Sequence, residues 1–328
     1  MDGSGPRQED ELTARAAWLH FVGGLRQSDV ARRLDISVAR AHRYIAKAQS
    51  EGLVRVSVDM ESAECAVLEN ELIRAFGLSY CRVAMDATEV GPLPLRALSV
   101  VGAAFIQQAV AARSHDVIGV GNGRTLSACV DAMGRSRADH LHFVSMLGGL
   151  TRSFAANPYD VIHKLAQKTG AESYLMPAPL FANSAEDKRI MMDQGGLAAT
   201  MELIDRATLL ILGVGDADPA GGSASSQALR EDGVMTKLRA EGAEAELLGQ
   251  FLRADGAGIS TALDARVMAP ALSDLKGREI VAIAGGLQKA AAIHAALNSG
   301  LLTGLIIDEA TARHLVGKIS AASSEAAE

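Results

Sequence analysis

The apolar positions of this chain change their spacing along its length, and they predict two kinds of structure. Near the N-terminus they recur at the spacing of helices, as at Val30, Ala31 and Leu34. From about Ser79 onward, short continuous apolar runs alternate with helical stretches, which is typical of parallel strands buried on both faces. The pattern predicts an α/β protein in which a small helical domain precedes a larger, Rossmann-like, mostly parallel sheet. The predicted strands lie in CRVAM, DVIGVG, LHFVSMLGG, ESYLMPAP, TLLILGVG, EIVAIAGG and TGLIIDE.

Residues 27–51 carry the pattern of a helix-turn-helix. A short helix from Gln27 to Leu34 precedes a break, and a second helix runs from Val38 to Glu51. Asp35 lies at the break, where Asp tolerates the left-handed backbone of a tight turn. The Ser37 hydroxyl can then cap the second helix.

The second of these helices is the expected recognition helix. Its apolar side, which includes Ala41, Tyr44 and Ile45, should pack on the first helix and on a preceding helix around Trp18 and Leu19. That packing leaves its first turns free for the major groove, where helix-turn-helix proteins place them. The residues expected to contact DNA are Ser37, Val38, Ala39, Arg40, His42, Arg43, Lys47 and Arg55.

The charge distribution supports double-stranded DNA as a partner. Residues 12–55 carry eight Lys or Arg against three Asp or Glu, whereas the whole chain has a net charge of −7. Basic residues are thus concentrated in the segment that the pattern assigns to DNA. Arg55 lies in the strand-like segment VRVSV and should contact phosphate. An αα-hairpin with a solvated basic face remains the alternative.

Composition limits the remaining functions. Cys65, Cys81 and Cys129 are odd in number and widely spaced, which predicts neither a disulfide framework nor a zinc site. His140 and His142 lack the further ligands that a metal site needs, so we expect no metal and no cofactor. With no apolar run of about 18 residues and no signal-like N-terminus, we expect a cytoplasmic protein without a membrane partner.

At 328 residues the chain is long enough for one small and one large domain. The amphipathic segment Ala63–Phe76 either packs on its own domain or forms a dimer seam, because so short a stripe fits both. The expected organisation is a disordered tail (1–11), a DNA-binding domain (12–59), a linker helix (60–78), a domain for effector binding and oligomerisation (79–318), and a second disordered tail (319–328).

Glycine loops follow four of the predicted strands, and these loops should meet at one edge of the sheet, where ligands bind in open α/β folds. In the loop after the second strand, glycine-exposed amides, the Arg124 charge and the Thr125 hydroxyl lie at a helix N-terminus, which favours a ligand. The loop lacks the spacing of a Walker A or dinucleotide-binding motif, which disfavours nucleoside triphosphates and NAD. The candidate residues of the four loops are Gly121, Asn122, Gly123, Arg124 and Thr125; Gly148 and Gly149; Gly213 and Gly215; and Gly285 and Gly286.

Three charged residues are further candidates for effector binding. Asp216 and Asp255 offer acceptors for sugar hydroxyls, although each could instead cap or turn the chain. Lys289 follows a glycine pair at a helix start, where it could meet an anion or form a Schiff base. A solvated lysine is the more common outcome at such a position than a Schiff base.

Three segments together resemble the SorC family of bacterial sugar-responsive transcriptional regulators: ARAAWLHFVGGLRQSDVARRLDIS, GVGNGRTL and IVAIAGGLQKAAAIHAALNSGLLTGLIIDEATARHLV. The resemblance covers nearly the whole chain. It implies a large domain similar in fold to sugar-phosphate isomerases that serves as a sensor, and a dimer or tetramer whose operator affinity depends on an effector. It also implies effector contacts at Gly121–Thr125, at Gly148–Arg152 including Thr151, at Gly213–Asp216 and at Asp255.

The chain departs from the family pattern in two places. The recognition helix reads SVARAHRYIAKAQ where a Ser-Arg-Pro-x-Val-Ser-Arg-Leu pattern is common, so the operator sequence cannot be transferred. The recognition-helix sequence is similar to that of erythritol-catabolism repressors of the family. Asn122 stands where the family often has Trp, which implies a smaller and more polar pocket. With few Lys near the loops, this favours an unphosphorylated polyol over a phosphorylated effector.

Three functions are therefore compared. The first is a DNA-binding regulator, most simply a repressor, of a sugar or polyol operon. The second is a sugar-phosphate isomerase with an appended helical module, in which Asp216 or Asp255 would act as the base. The third is an oligomerising scaffold, which the cluster of glycine loops argues against.

Overall fold

The structure is a computed structural model that describes residues 6–54, 62–89, 91–149, 161–218 and 234–325. The chain divides into two compact units, Met1–Met60 and Glu61–Glu328. The boundary expected after residue 59 lies one residue from this division.

The first unit contains the predicted helix-turn-helix. Its elements are helix α1 (Pro6–Ala17), a π-helical turn (Trp18–Val22), α2 (Gln27–Leu34) and α3 (Val38–Ser50). Asp35 ends α2 in the left-handed conformation, with φ of 53°, and its N–H donates to the carbonyls of Ala31 and Arg32. The Ser37 hydroxyl accepts a hydrogen bond from the Arg40 N–H at 3.3 Å and so caps α3.

Small side chains allow the three helices to approach closely. Ala16 of α1, Ala31 of α2 and Ala41 of α3 are buried in one cluster with Tyr44 and Ile45. This cluster is the hydrophobic core of the unit, and it holds the recognition helix α3 against the other two helices.

Trp18 does not join this core, contrary to the expectation from the sequence. It is 65% exposed, whereas Leu19 packs partly buried against the cluster. Leu12 and Ala16 of α1 meet the core, and Leu19 of the π-helical turn continues this side. Trp18 lies two residues beyond Ala16, about 200° around a regular helix, and therefore faces away from the core.

Both tails are ordered further than the sequence predicted. Helix α1 begins at Pro6, and its Glu9 and Asp10 carboxylates lie 3.6 and 3.5 Å from the Lys47 Nζ atom of α3. At the other end, the last helix reaches Glu325, because apolar residues such as Leu315 and Ile319 continue to pack on the core. The expectation of disorder was therefore wrong for residues 6–11 and 319–325.

The second unit is built on a seven-stranded parallel sheet, and each strand overlaps one of the predicted runs. The strands are β1 (Tyr80–Ala84), β2 (Val117–Val120), β3 (His142–Ser145), β4 (Glu172–Tyr174), β5 (Leu209–Leu212), β9 (Glu279–Ile283) and β10 (Gly304–Asp308). Their order in the sheet is β1-β10-β9-β5-β2-β3-β4. The strands β2, β5 and β10 are buried at every residue, which explains why their sequences are apolar except for Asp308 at the end of β10.

Helices surround this sheet. They are α4 (Ala63–Phe76), α5 (Leu95–Ala111), α6 (Arg124–Ala132), α7 (Ile162–Thr169), α8 (Ala185–Met192), α9 (Gly195–Arg206), α10 (Val234–Ala240), α11 (Ala290–Asn298) and α12 (Glu309–Glu325). Leu68 and Leu72 of α4 are buried in the same cluster as Leu305 and Leu315. Helix α4 therefore packs on its own unit, the first of the two roles that its pattern left open.

A small antiparallel sheet was not predicted from the sequence. It consists of β6 (Gly215–Asp216), β7 (Ala243–Leu247) and β8 (Gln250–Arg253), in the order β6-β7-β8.

No helix within the described part of the chain is both long and apolar enough to cross a membrane.

The order of the parallel strands creates a crevice between β2 and β5. From β2 the chain proceeds to β3 and β4 on one side, whereas from β5 it proceeds to β9 and β10 on the other. Ligands of open α/β sheets bind at such a switch point, beyond the carboxyl ends of the strands. The fold therefore selects the loops after β2 and β5 as the place to look for a ligand site.

Candidate functional site

The exposed face of α3 carries four of the residues predicted to contact DNA. Val38, Ala39, His42 and Arg43 are exposed, while the opposite side of the helix is buried in the core. The His42 Nδ1 atom lies 3.3 Å from the Gln27 Oε1 atom at the start of α2. These residues occupy the first two turns of α3, the part of a recognition helix that reaches base edges.

Tyr44 supports two arginines of this face. Its ring is buried, and its hydroxyl accepts a hydrogen bond from the Arg40 guanidinium at 3.0 Å. The guanidinium carbons of Arg40 and Arg43 lie 5.8 and 5.6 Å from the ring centroid. Such cation–π contacts restrict long side chains, so Tyr44 limits the orientations of both arginines.

Lys47 is placed differently from the expectation. Its Nζ atom lies within 4 Å of Glu9, Asp10 and Glu51, at 3.6, 3.5 and 3.8 Å. Three carboxylates compete with phosphate for this ammonium group, so Lys47 holds α1 to α3 and is withdrawn from our set of DNA contacts. Arg55 lies outside the described residues, and its phosphate contact stays a prediction.

In the second unit, the loop after β2 has the geometry of an anion- or hydroxyl-binding turn. The Gly121 N–H donates to the Ile211 carbonyl of β5 at 2.9 Å, which fixes the loop to the neighbouring strand. Gly123 has φ of 142°, a conformation that a side chain would strain, and α6 begins at the next residue. Arg124 and Thr125 therefore lie in the first turn of α6, where backbone N–H groups lack helical acceptors.

The Asn122 side chain is the most informative group in this loop. Its Oδ1 and Nδ2 atoms are shielded from solvent, yet neither has a hydrogen-bond partner within the described part of the chain. An unpaired buried polar group costs about 1–3 kcal/mol, and native structures contain few of them. A Cβ atom on Gly213 would lie 3.6 Å from the Asn122 carbonyl oxygen, so the two loops of the switch point are adjacent there. The Asn122 amide thus leaves a donor and an acceptor unpaired next to the place where the two loops meet.

Lys289 reaches this crevice from the loop after β9. Its Nζ atom donates to the Val214 carbonyl of the β5 loop at 2.7 Å. Burial lowers the pKa of Lys289. The negative charge of Asp216 raises this pKa, the positive charge of Arg124 lowers it further, and the negative charge of Glu246 raises it. Lys289 is thus partly buried beside three charged side chains, whereas the sequence had favoured a solvated lysine over a reactive one.

Glu246 of β7 was missed in the sequence analysis. It is 8% exposed, and its carboxylate accepts a hydrogen bond from the Gly249 N–H. A Cβ atom on Gly215 would collide with the Glu246 carboxylate, so this glycine makes room for a buried charge. The alternation in AEAEL would place both glutamates on a solvent-facing side, so no local signal indicated that Glu246 is buried.

The other two glycine loops are explained by packing. A Cβ atom on Gly148 would collide with the backbone of Ala178 and Pro179, and Gly149 is buried beside it. A Cβ atom on Gly285 would collide with the Asp308 carboxylate at the end of β10. Thr151 lies outside the described residues, so its predicted effector contact stays a prediction.

Asp308 was also missed. Its Oδ1 atom accepts hydrogen bonds from the Gly286 N–H and the Thr311 hydroxyl, both at 2.8 Å, and its Oδ2 atom accepts one from the Thr311 N–H at 3.0 Å. The carboxylate therefore caps α12 and ties it to the loop that leads to Lys289. Its position directly after a buried apolar run was the signal in the sequence.

Asp255 does not reach the crevice, which corrects the expectation that it would join the glycine loops. It is exposed in the turn after β8, where its Oδ1 atom accepts from the Ala257 N–H at 2.9 Å. The turn packs on the C-terminal end of α11, through an Asn298 Nδ2 bond to the Ala254 carbonyl at 2.8 Å. Lys289 lies at the other end of this helix, which places Asp255 near the amino ends of the strands, away from the glycine loops.

The crevice therefore combines Asn122, Arg124, Asp216, Glu246 and Lys289. Among the described residues, no group of three His, Cys, Asp or Glu side chains is arranged to hold a metal ion. The amide, the two cations and the two carboxylates can bind a small polar molecule through hydrogen bonds.

Comparisons with known proteins agree with the two units. The sequence model of the family described as "Putative sugar-binding domain" matches residues 60–317. The erythritol catabolism regulatory protein EryD of Brucella abortus is 47% identical over 310 residues, which cover 94% of this chain and 98% of EryD. The transcriptional regulator LsrR of Klebsiella pneumoniae is 29% identical over 95% of this chain and 94% of its own.

The fold agrees with a solved structure over almost its full length. The full-length sorbitol operon regulator SorC of Klebsiella pneumoniae superposes with a TM-score of 0.69 at 21% identity, covering 94% of this chain and 99% of SorC. The chain belongs to the SorC family of sugar-binding transcriptional regulators.

Proposed function

We propose that this regulator binds operator DNA through α3 and responds to a small carbohydrate that binds in the crevice between β2 and β5. The observation that carries the proposal is the unpaired, shielded Asn122 amide at the switch point of a unit that belongs to a sugar-binding family. The 47% identity to an erythritol catabolism regulatory protein supports a polyol catabolic operon as its target. Repression is the mode of action that we propose.

The DNA-binding form is a homodimer or homotetramer. One recognition helix contacts too few bases for selective binding, and paired helix-turn-helix units read half-sites that are separated by whole helical turns. The footprint on the operator is therefore twofold symmetric. As a regulator of transcription in bacteria, the protein acts in the cytoplasm.

The effector acts by binding one DNA-affinity state more tightly than the other. A ligand shifts such an equilibrium only by its differential affinity, and typical coupling free energies are about 1–3 kcal/mol. The corresponding change in operator affinity is about 5- to 150-fold. Effector binding at the loops after β2 and β5 thus gives a graded response.

A gel-shift titration tests the proposal. Wild-type protein, Arg43→Ala and the control Arg137→Ala are titrated against DNA from upstream of the neighbouring operon, with and without added polyols, sugars and sugar phosphates. Arg137 is an exposed arginine of the second unit that pairs with Asp139 at 2.8 Å. We expect Arg43→Ala alone to lose operator affinity. Normal affinity of Arg43→Ala would contradict the assignment of α3, and indifference of the wild type to every carbohydrate would contradict the sensor role.

We also propose that the chain is not an enzyme, because relatives that match it over most of its length carry the names of regulators. An isomerase assay with phosphorylated sugars tests the alternative. Turnover that is lost in Asp216→Asn would favour the enzyme.

A further inference from the structure

We infer that Tyr44 is a positioning residue for operator recognition, whose buried hydroxyl group orients Arg40 so that Arg40 reads a base pair of the operator. The inference rests on the proposed function, because it concerns the DNA that α3 would bind. It goes beyond that function by assigning part of the sequence preference to a side chain that is itself buried.

The rigidity of Tyr44 is the first reason. The residue is 2% exposed and lies in the core cluster of the first unit, beside Ala41 and Ile45. A tyrosine has only two side-chain torsions, and close packing in a core restricts both. The Tyr44 hydroxyl is therefore a fixed point against which a longer and more mobile side chain can be held.

The placement of Arg40 is the second reason. Arg40 precedes Tyr44 by four positions, so the two side chains are neighbours on the surface of α3. The Arg40 Nη2 atom donates to the Tyr44 hydroxyl oxygen at 3.0 Å. The Arg43 guanidinium carbon lies 5.6 Å from the centroid of the same ring. The hydroxyl thus restrains Arg40, whereas the contact with Arg43 depends on the ring.

The charge of these contacts is the third reason. A hydroxyl group and an aromatic ring carry no net charge, so they restrain a guanidinium without cancelling its positive charge. Lys47, by contrast, lies within 4 Å of three carboxylates. The contacts that Tyr44 makes therefore leave the arginines attractive to DNA, which the contacts around Lys47 do not do for that residue.

Orientation matters because an arginine reads guanine through two parallel hydrogen bonds to one base edge. Fixing an unrestrained side chain of this length costs entropy equivalent to about 2- to 10-fold in affinity. A side chain that is already restrained loses less. This gain applies only where the base accepts both hydrogen bonds, so the support of Tyr44 increases the preference for that base pair and leaves non-specific binding unchanged.

Selection from a library of DNA duplexes with a randomised central region tests the inference on the full-length protein. Bound duplexes are sequenced for the wild type, Tyr44→Phe, Arg40→Ala and the double variant, and the preference at each base pair is expressed as a ratio of Kd values. Tyr44→Phe keeps the packed ring and removes only the hydroxyl, and its melting temperature is measured alongside. Tyr174→Phe is the matched control, because the Tyr174 hydroxyl donates to the Glu172 Oε2 atom at 2.7 Å in the second unit.

We expect Arg40→Ala to reduce the preference at one base pair of each half-site by about 5- to 150-fold. Tyr44→Phe should reduce the preference at that same base pair by about 2- to 10-fold. Its affinity for unrelated duplexes and its salt dependence should not change, because no charge is removed. In the Arg40→Ala background, Tyr44→Phe should have no further effect. The base pair whose preference is lost in Arg43→Ala should be unaffected by Tyr44→Phe, and Tyr174→Phe should select as the wild type does.

The outcomes separate the inference from the proposed function. Full preference in Tyr44→Phe, or an equal loss whether or not Arg40 is present, overturns the inference and leaves DNA binding by α3 intact. An Arg40→Ala variant that binds all sequences more weakly by one common factor, with a salt slope smaller by about one unit, places Arg40 at a phosphate and also overturns it. A wild type that selects no sequence overturns the proposed function and the inference together.

Discussion

Replacing Asp308 by alanine should destabilise the second unit more than any single surface change. The Asp308 carboxylate is 4% exposed and accepts three hydrogen bonds, two from Thr311 and one from the Gly286 N–H. It joins the end of β10, the start of α12 and the loop after β9. Alanine removes all three acceptors and leaves buried donors behind.

The magnitude follows from these bonds. Loss of an Asp N-cap costs about 0.5–2 kcal/mol, and each further hydrogen bond to a charged group contributes about 1.5–3 kcal/mol. The Gly286 N–H also lies 3.0 Å from the Thr311 hydroxyl oxygen, so it keeps one acceptor and part of the loss is offset. We therefore expect a net cost of about 3–5 kcal/mol, which lowers the melting temperature by about 6–20 °C for a unit of this size.

The assay is thermal unfolding followed by calorimetry, with Asp139→Ala as the control. Asp139 is an exposed aspartate of the same unit that pairs only with Arg137 in the described structure, and such pairs contribute about 0–1 kcal/mol. Because Gly286 leads into the turn that carries Lys289, the Asp308→Ala variant should also bind effector more weakly. A melting temperature within about 2 °C of the wild type would show that the buried carboxylate is not needed to hold α12.

Three further predictions concern other parts of the molecule. Arg43→Ala should weaken operator binding about 5- to 150-fold through loss of a base contact. Lys47→Met should change operator binding less than about 3-fold, because Lys47 pairs with carboxylates. Gel shifts measure both affinities, and equal losses would contradict the placement of Lys47. Gly123→Ala should destabilise the second unit by about 1–3 kcal/mol through strain at positive φ, which urea unfolding measures, and wild-type stability would refute that strain. Burial raises the pKa of the Cys81 and Cys129 thiols to about 12, so neither should react with Ellman's reagent at pH 8 until the protein is denatured in urea, and rapid labelling of the native protein would show that they are accessible.

The seven parallel strands could be predicted from the sequence because the burial of each strand is visible in its own residues. A strand that is covered on both faces needs mostly apolar residues, and the runs Leu209–Leu212 and 305–307 show this without reference to their neighbours. The strands β6 to β8 are short and carry charged residues such as Glu246, so their pairing depends on contacts that no local pattern displays.

The crevice was only partly predictable for a related reason. The loop from Gly121 to Thr125 could be identified because glycine, a charged residue and a helix start are consecutive in sequence. That Asp255 lies near the opposite edge of the sheet follows from the direction of α11, which the sequence does not encode locally. The partners of Lys47 on α1 lie almost 40 positions earlier in the chain, so the prediction that it contacts DNA could not anticipate them.

The exposure of Trp18 gives the protein a built-in optical probe. It is the single tryptophan of the chain, it is 65% exposed, and it belongs to the unit that carries the recognition helix. Tryptophan emission therefore originates entirely outside the unit that contains the candidate crevice. A carbohydrate that alters this emission at saturating concentration reports communication between the two units directly, without DNA, without a label and in the native sequence.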